Sequence, residues 1–298
     1  VGMARDVSGG VSNLEGTLAL GMNFFLLNQN DVILGNNFRL DLNALTASSA
    51  LTPSFTATTF SIDPNDFFNG NYRFSQSVSN GSIEVNGLTV VGENGQVLLM
   101  SDDININGDV SLSSGVFSAV AGGEVLVTFS NNNLIQFDIT EPLSTVPGQQ
   151  VITVGPGAVV ESGHINLEAW VNDPVSLAVN NRGLLTAKGI ESSEGGAIRL
   201  VGSGGQVVNR GRIDTTNEEG LDGNALLSGQ TLKIAGSISN GTGHTRIEIG
   251  RAGEQGENSG VVGELHVDRQ VQLDMASMEV VGFGGRNKIY GLANYIVT

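Results

Sequence analysis

The stretch "GGQVVNRGRI" (Gly204–Ile213) decides the fold. A short apolar run, Val207 and Val208, is stopped by Asn209 and Gly211, and apolar Ile213 follows two positions after that glycine. The same Asn-(x)-Gly-x-apolar phrase stands 28 residues earlier at Gly183, and Gly81 and Gly108 repeat it 27 residues apart. Other alternating runs bounded by glycine are "SNGSIEVNG" (Ser79–Gly87), "GENGQVLLM" (Gly92–Met100), "DININGDVSL" (Asp103–Leu112), "GGEVLVTFS" (Gly122–Ser130), "GHINLEAW" (Gly163–Trp170), "GGAIRLVG" (Gly195–Gly202) and "QTLKIAGSIS" (Gln230–Ser239). Each predicts a strand of about four to six residues with one apolar face. No stretch of helical length keeps apolar residues at i, i+3, i+4 and i+7 between caps.

Strands that return at a fixed period mean a solenoid, a propeller or an array. Propeller blades need repeats of about 40–45 residues with aromatic signatures, and Trp170 is the single tryptophan. A sandwich also yields many short strands. The GG-x-apolar-x-apolar phrases favour coils stacked about 4.8 Å apart, each strand pairing with its successor while Gly or Asn turns the corner. The expected fold is all-β, a parallel β-helix or β-solenoid.

Composition narrows the function. The 298 residues are 40% hydrophobic, enough to bury a core, and the 42 glycines follow no collagen period. Their abundance suits tight turns, where Gly and Asn tolerate positive φ. Thirty acidic against fourteen basic residues give a net charge of −16. Such a surface repels phosphate backbones and anionic headgroups, so no nucleic acid partner is expected. Cysteine is absent, which suits a chain crossing an oxidising compartment unfolded. No run approaches the roughly 18 apolar residues of a membrane-spanning helix. The opening "VGMARDVSGG" lacks the regions of a signal peptide and reads as the middle of a domain, so an upstream piece is expected. The final "NKIYGLANYIVT" would leave an open strand edge, so further coils are expected beyond it.

Within "NFFLLNQNDVILGNNFRLDL" (Asn23–Leu42), the residues Phe25, Leu27, Val32, Leu34, Phe38, Leu40 and Leu42 are expected to form inward ladders. The tract Asn28–Asp31 is expected to be a corner whose asparagines bond to their own and neighbouring coils.

Three segments carry a resemblance: "ARDVSGGVSNLEGTL" (Ala4–Leu18), "FFLLNQNDVILG" (Phe24–Gly35) and "LDLNALTASS" (Leu40–Ser49). In that order they resemble the secretion domain of two-partner secretion exoproteins, the filamentous-haemagglutinin-like adhesins and haemolysins of Gram-negative bacteria. The likeness continues through "NDFFNGNYRFS" (Asn65–Ser75), "NGQVLLMSDDININGDVSLSSG" (Asn94–Gly115) and "GGEVLVTFSNNNLIQFDI" (Gly122–Ile139). The chain departs from the family pattern at Gln29, where Pro is commoner, and at Asp31, where Gly is usual. The resemblance implies that the family's amino-terminal portion of roughly fifty residues belongs ahead of Val1.

The resemblance implies a right-handed β-helix with extra-helical hairpins or loops, 1–140 being secretion-domain-like and 141–298 a continuation with loop insertions. It also implies a route through the periplasm, a partner outer-membrane β-barrel transporter of the two-partner type, and a secreted or cell-surface product. Asn28, Gln29 and Asn30 are the residues most similar to the family's recognition motif and are the candidate transporter-recognition residues. The functional expectation is a large surface adhesin. A haemolysin or contact-dependent toxin stalk with the same secretion domain is an alternative, as is a β-helical polysaccharide-binding or polysaccharide-degrading protein. A host receptor, a glycan or a matrix polysaccharide would then be a further partner.

Other patterns point less far. "DININGDV" (Asp103–Val110) opens like a calcium loop, but its twelfth position is Ser114 instead of Glu, and Ile104 and Ile106 alternate as in a strand. The acidic "DTTNEEGLDGN" (Asp214–Asn224) reads as a solvated insertion. His164, His244 and His266 have no metal spacing, no nucleophile-elbow phrase is present, and "RIEIGRAGEQGE" (Arg246–Glu257) reads as polar surface. No enzyme activity, metal or cofactor is expected. The sequons at Asn80 and Asn240 fall in Asn-Gly turns.

Overall fold

The structure, a computed structural model, describes residues 1–42, 53–76, 81–130, 134–189, 195–216, 223–251, 262–284 and 286–291. The chain winds into a parallel β-helix with three faces. The first face stacks Gly2–Asp6, Phe24–Asn28, Ser54–Thr58, Gly95–Met100, Gly115–Ala121 and His164–Trp170. The second stacks Val11–Leu14, Asp31–Leu34, Ser82–Val85, Asp103–Ile106, Gln150–Val154 and Leu177–Asn181. The third stacks Thr17–Ala19, Arg39–Asp41, Leu88–Val91, Val110–Leu112, Val159–Ser162, Leu184–Ala187 and Arg212–Asp214. Later strands are longer than the sequence predicts. Ala197–Asn209 and Asn224–Ile234 run from the first face into the second through a register shift at the corner.

Side-chain alternation feeds one continuous core. On the second face Val32, Ile83, Ile104, Ile152, Val179, Val207 and Leu232 stand in a single column, each above its predecessor. The third face adds Leu88, Val110, Val160, Leu185 and Ile213. All are buried, and burial of each such side chain favours folding by about 1.5–3 kcal/mol.

At most turns of the stack the corner between the second and third faces is short, and glycine makes it so. A Cβ on Gly211 would lie 1.9 Å from the Gly183 carbonyl oxygen, and one on Gly236 would lie 1.8 Å from that of Gly211. Glycine is needed here for backbone-on-backbone contact, since neither position has positive φ. The 28-residue spacing from Gly183 to Gly211 is thus a true coil. The 27-residue spacing from Gly81 to Gly108 is not. Gly108 sits on Asn86, whereas Gly81 sits on Asn30 at the opposite end of its strand, and Ser82 pairs with Asp103, 21 residues on.

Two expectations fail for one reason. Phe25 and Leu27 point outward; their neighbours Phe24 and Leu26 pack against the main core. The run "GGEVLVTFS" is no coil strand either. Glu124–Phe129 is the centre of a separate antiparallel sheet, between Tyr72–Ser75 and Ile135–Glu141. This sheet and the short helix Pro64–Phe68, capped by Asp63 and opened by Pro64, cover the first face from outside. Phe25, Leu27, Leu98, Met100 and Val120 therefore bury against Phe67, Phe74, Val125, Val127 and Ile139 in a second core. Phe25 lies 5.4 Å from Phe74 and 5.7 Å from Phe67, ring centre to ring centre. First-face strands covered on both sides favour apolar residues at consecutive positions, as in "FFLL" and "VLLM", or small ones, as in "SFTAT" (Ser54–Thr58).

Candidate functional site

The tract Asn28–Asp31 forms the corner between the first and second faces, as its composition predicts. Asn28 is buried, and its side-chain amide donates to the Gly10 carbonyl, the Ser12 hydroxyl and the Asp31 carbonyl, each at 2.9 Å. Its side-chain oxygen accepts the Asn30 N–H at 3.0 Å. Asn28 thereby binds its own turn to the preceding coil. Asp31 reaches the other way and accepts from the Ser82 N–H and hydroxyl, both at 2.8 Å. Gln29 and Asn30 are half-buried at the bend, their carbonyls beneath Gly81. Asp31 needs no left-handed backbone; among the described residues other than glycine only Asn94 has positive φ.

The structure separates the remaining sequence candidates. Asp103–Ile106 is a strand with Ile104 and Ile106 in the core, and the Asn105 amide donates to Asp103 at 2.7 Å. Burial raises the pKa of Asp103, with the charge of Asp102 adding to the shift. His266 stacks on Tyr290 and contacts Glu264 on the second face. His244 Nδ1 lies 2.8 Å from the Ser277 hydroxyl, and Nε2 lies 4.0 Å from Glu279, a carboxylate held at 2.7 Å by Arg246. These groups occupy open strand surface with the His and Glu side chains 41% and 49% exposed. The geometry is that of a surface charge ladder. Arg246 and Arg251 both bond Glu248, which also accepts from Ser228. Asn240 is buried, accepting from Thr215 and donating to Thr245, so in the folded chain its amide is closed to a glycan. Asn80, residues 217–222, residues 252–257 and residues 43–49 lie outside the described residues.

One site has no sequence phrase. Along the outer side of the first face a single column reads Phe25, Thr56, Leu98, Ser118, Asn166, Arg199. It is apolar or small beneath the antiparallel sheet and turns polar beyond it. A groove of about 660 Å³ opens there, floored by Asn166, Glu168 and Arg199 and walled by Thr128, Gln136, Phe137 and Asp138 of the sheet. Arg199 Nη2 stands 3.7 Å from Glu168. Burial raises the pKa of the Glu168 carboxyl despite Arg199 and Arg251 nearby. These residues come from four strands of the chain, so no local spacing announces them.

No family model and no curated protein matches the chain. Among solved structures, 96% of this chain superimposes on 78% of the HMW1 secretion domain from Haemophilus influenzae, with a TM-score of 0.68 and 19% identity. The filamentous hemagglutinin secretion domain aligns over 97% of this chain and 74% of its own, at 15% identity and a TM-score of 0.38, too low to bear on the argument. The likeness to the HMW1 secretion domain is one of fold: a parallel β-helix.

Proposed function

We propose that this chain is the secretion-domain part of a large surface adhesin of a Gram-negative bacterium, exported by a partner outer-membrane β-barrel transporter. The observation that carries the reading is the likeness of fold to the HMW1 secretion domain along 96% of the chain. The route crosses the periplasm unfolded, and folding takes place outside the cell. The absence of cysteine removes thiols that an oxidising compartment would cross-link.

Stacked coils suit this route. Each new coil finds its hydrogen-bond partners on the one before it, so folding can propagate outward from the emerging end. Asn28 reaches back to Gly10 and Ser12, and Ser82 later docks on Asp31. Because Asn28 is enclosed in the folded corner, its recognition by the transporter acts on the unfolded chain, with Gln29 and Asn30 read alongside it. The reading assigns the chain no catalysis.

The test is export of this segment behind a signal peptide, with and without the candidate transporter, in native form and as an Asn28→Gln, Asn30→Gln double variant. Export is expected to require the transporter and to fall at least about tenfold in the variant, while the urea midpoint of the purified variant reports the separate loss of the corner bonds. Export that is equal without the transporter would reject the reading.

A further inference from the structure

We infer that the groove between the antiparallel sheet and the outer first face binds a short stretch of uncharged glycan. Its size falls within the about 300–1,000 Å³ of small-ligand sites. What it takes follows from its hydrogen-bonding groups. Asp138 and Glu168 offer acceptors, Arg199 offers donors, and Asn166, Gln136 and Thr128 offer both. A ligand that pairs with all of them must carry many groups that donate and accept at once, and sugar hydroxyls do so. Phe137 supplies a half-buried ring at the wall for the apolar face of a pyranose.

The backbone of the wall adds to the set. The Ser130 N–H donates to the Leu134 carbonyl, so residue 134 faces the neighbouring strand. The Ile135 N–H instead donates to Gln96 Oε1 at 2.6 Å, on the opposite side. Antiparallel alternation then turns the N–H and C=O of Phe137 to that open side as well. Gln96, 4% exposed, fixes the end of the strand, and its side-chain nitrogen is a buried donor without a partner, in a small cavity that shares Phe137 and Asn166 with the groove. An extended peptide is disfavoured as occupant because Gln96 already occupies the Ile135 N–H that a fourth strand would need.

Charge sets the selectivity. Two carboxylates face one guanidinium at the groove, in a chain of net charge −16. Uronate and sulfated chains are repelled.

Isothermal titration of the full chain with neutral hexaoses of glucose, mannose and galactose, and with a galacturonate hexaose, tests this. At least one neutral hexaose is expected to bind and galacturonate not to. Asp138→Ala and Asn166→Ala are each expected to weaken binding about tenfold or more. Gln136→Ala, an exposed change on the hairpin, keeps the test decisive should a floor variant misfold, and it is expected to weaken binding about threefold or more. Absence of binding by every neutral hexaose at about 10 mM, tighter binding of galacturonate, or unchanged affinity in well-folded variants would overturn the inference.

Discussion

Asp102 is 5% exposed and held by Gln76 at 3.3 Å and by Ser101, yet burial raises its carboxyl pKa. Its folded pKa then exceeds the unfolded value near 3.9, so its favourable contribution is complete below that value and is lost as pH rises through the folded one. Asp102→Asn is therefore expected to raise the urea midpoint at pH 7 and to leave it nearly unchanged at about pH 3. Equal midpoint changes at both pH values would trace the effect to packing. Glu248 has the opposite sign. Burial works against its charge, but bonds from Arg246 and Ser228 and the charge of Arg251 prevail and lower its pKa. Its contribution is present above the unfolded value and fades as pH falls through the folded one. Neither behaviour was legible in the sequence, because burial of a carboxylate depends on which coil lies above it. Asn28 was legible, since an Asn-rich break between two apolar runs has few uses besides a corner.

At the scale of elements, period-two alternation locates strands without naming their partners. It identifies Glu124–Phe129 as a strand, but whether the next strand is a parallel coil or an antiparallel neighbour depends on contacts across the chain. The same limit reversed Phe25 and Leu27. Alternation assigns inside and outside only when one side is wet, and here both sides are dry. The second core also gives the cover its own stability. Phe74→Ala is expected to cost about 3–5 kcal/mol locally and to abolish amide protection in Glu124–Phe129 and Ile135–Glu141, while Ile104, Ile165 and the two ladders they belong to stay protected. Hydrogen exchange read by mass spectrometry checks it. Loss of protection spreading equally through the coils would make the sheet an integral part of the solenoid.

Across the whole molecule each coil contacts chiefly its two neighbours, so stability is a sum of local terms and can vary along the axis. Gly95–Met100 and Gly115–Ala121 are buried almost throughout, whereas Leu273–Gly282 has one buried residue, Met275. Amides of the first two are expected to exchange at least about a hundredfold more slowly than those of the last, and uniform rates along the axis would contradict the summed-coil description.

The glycine-lined corner between the second and third faces has a further consequence. It admits only two residues between strands at Asn86–Gly87, at Arg182–Gly183, at Arg210–Gly211 and at Ala235–Gly236. The long connections, residues 59–81 and 122–149 among them, all leave from the other two corners. One edge of the solenoid is sealed by contact between successive backbones, and its ornament grows elsewhere. A lineage of such chains can thus acquire new surface loops, and an engineer can splice in a foreign epitope, on two sides of the stack while the third records little but the count of coils.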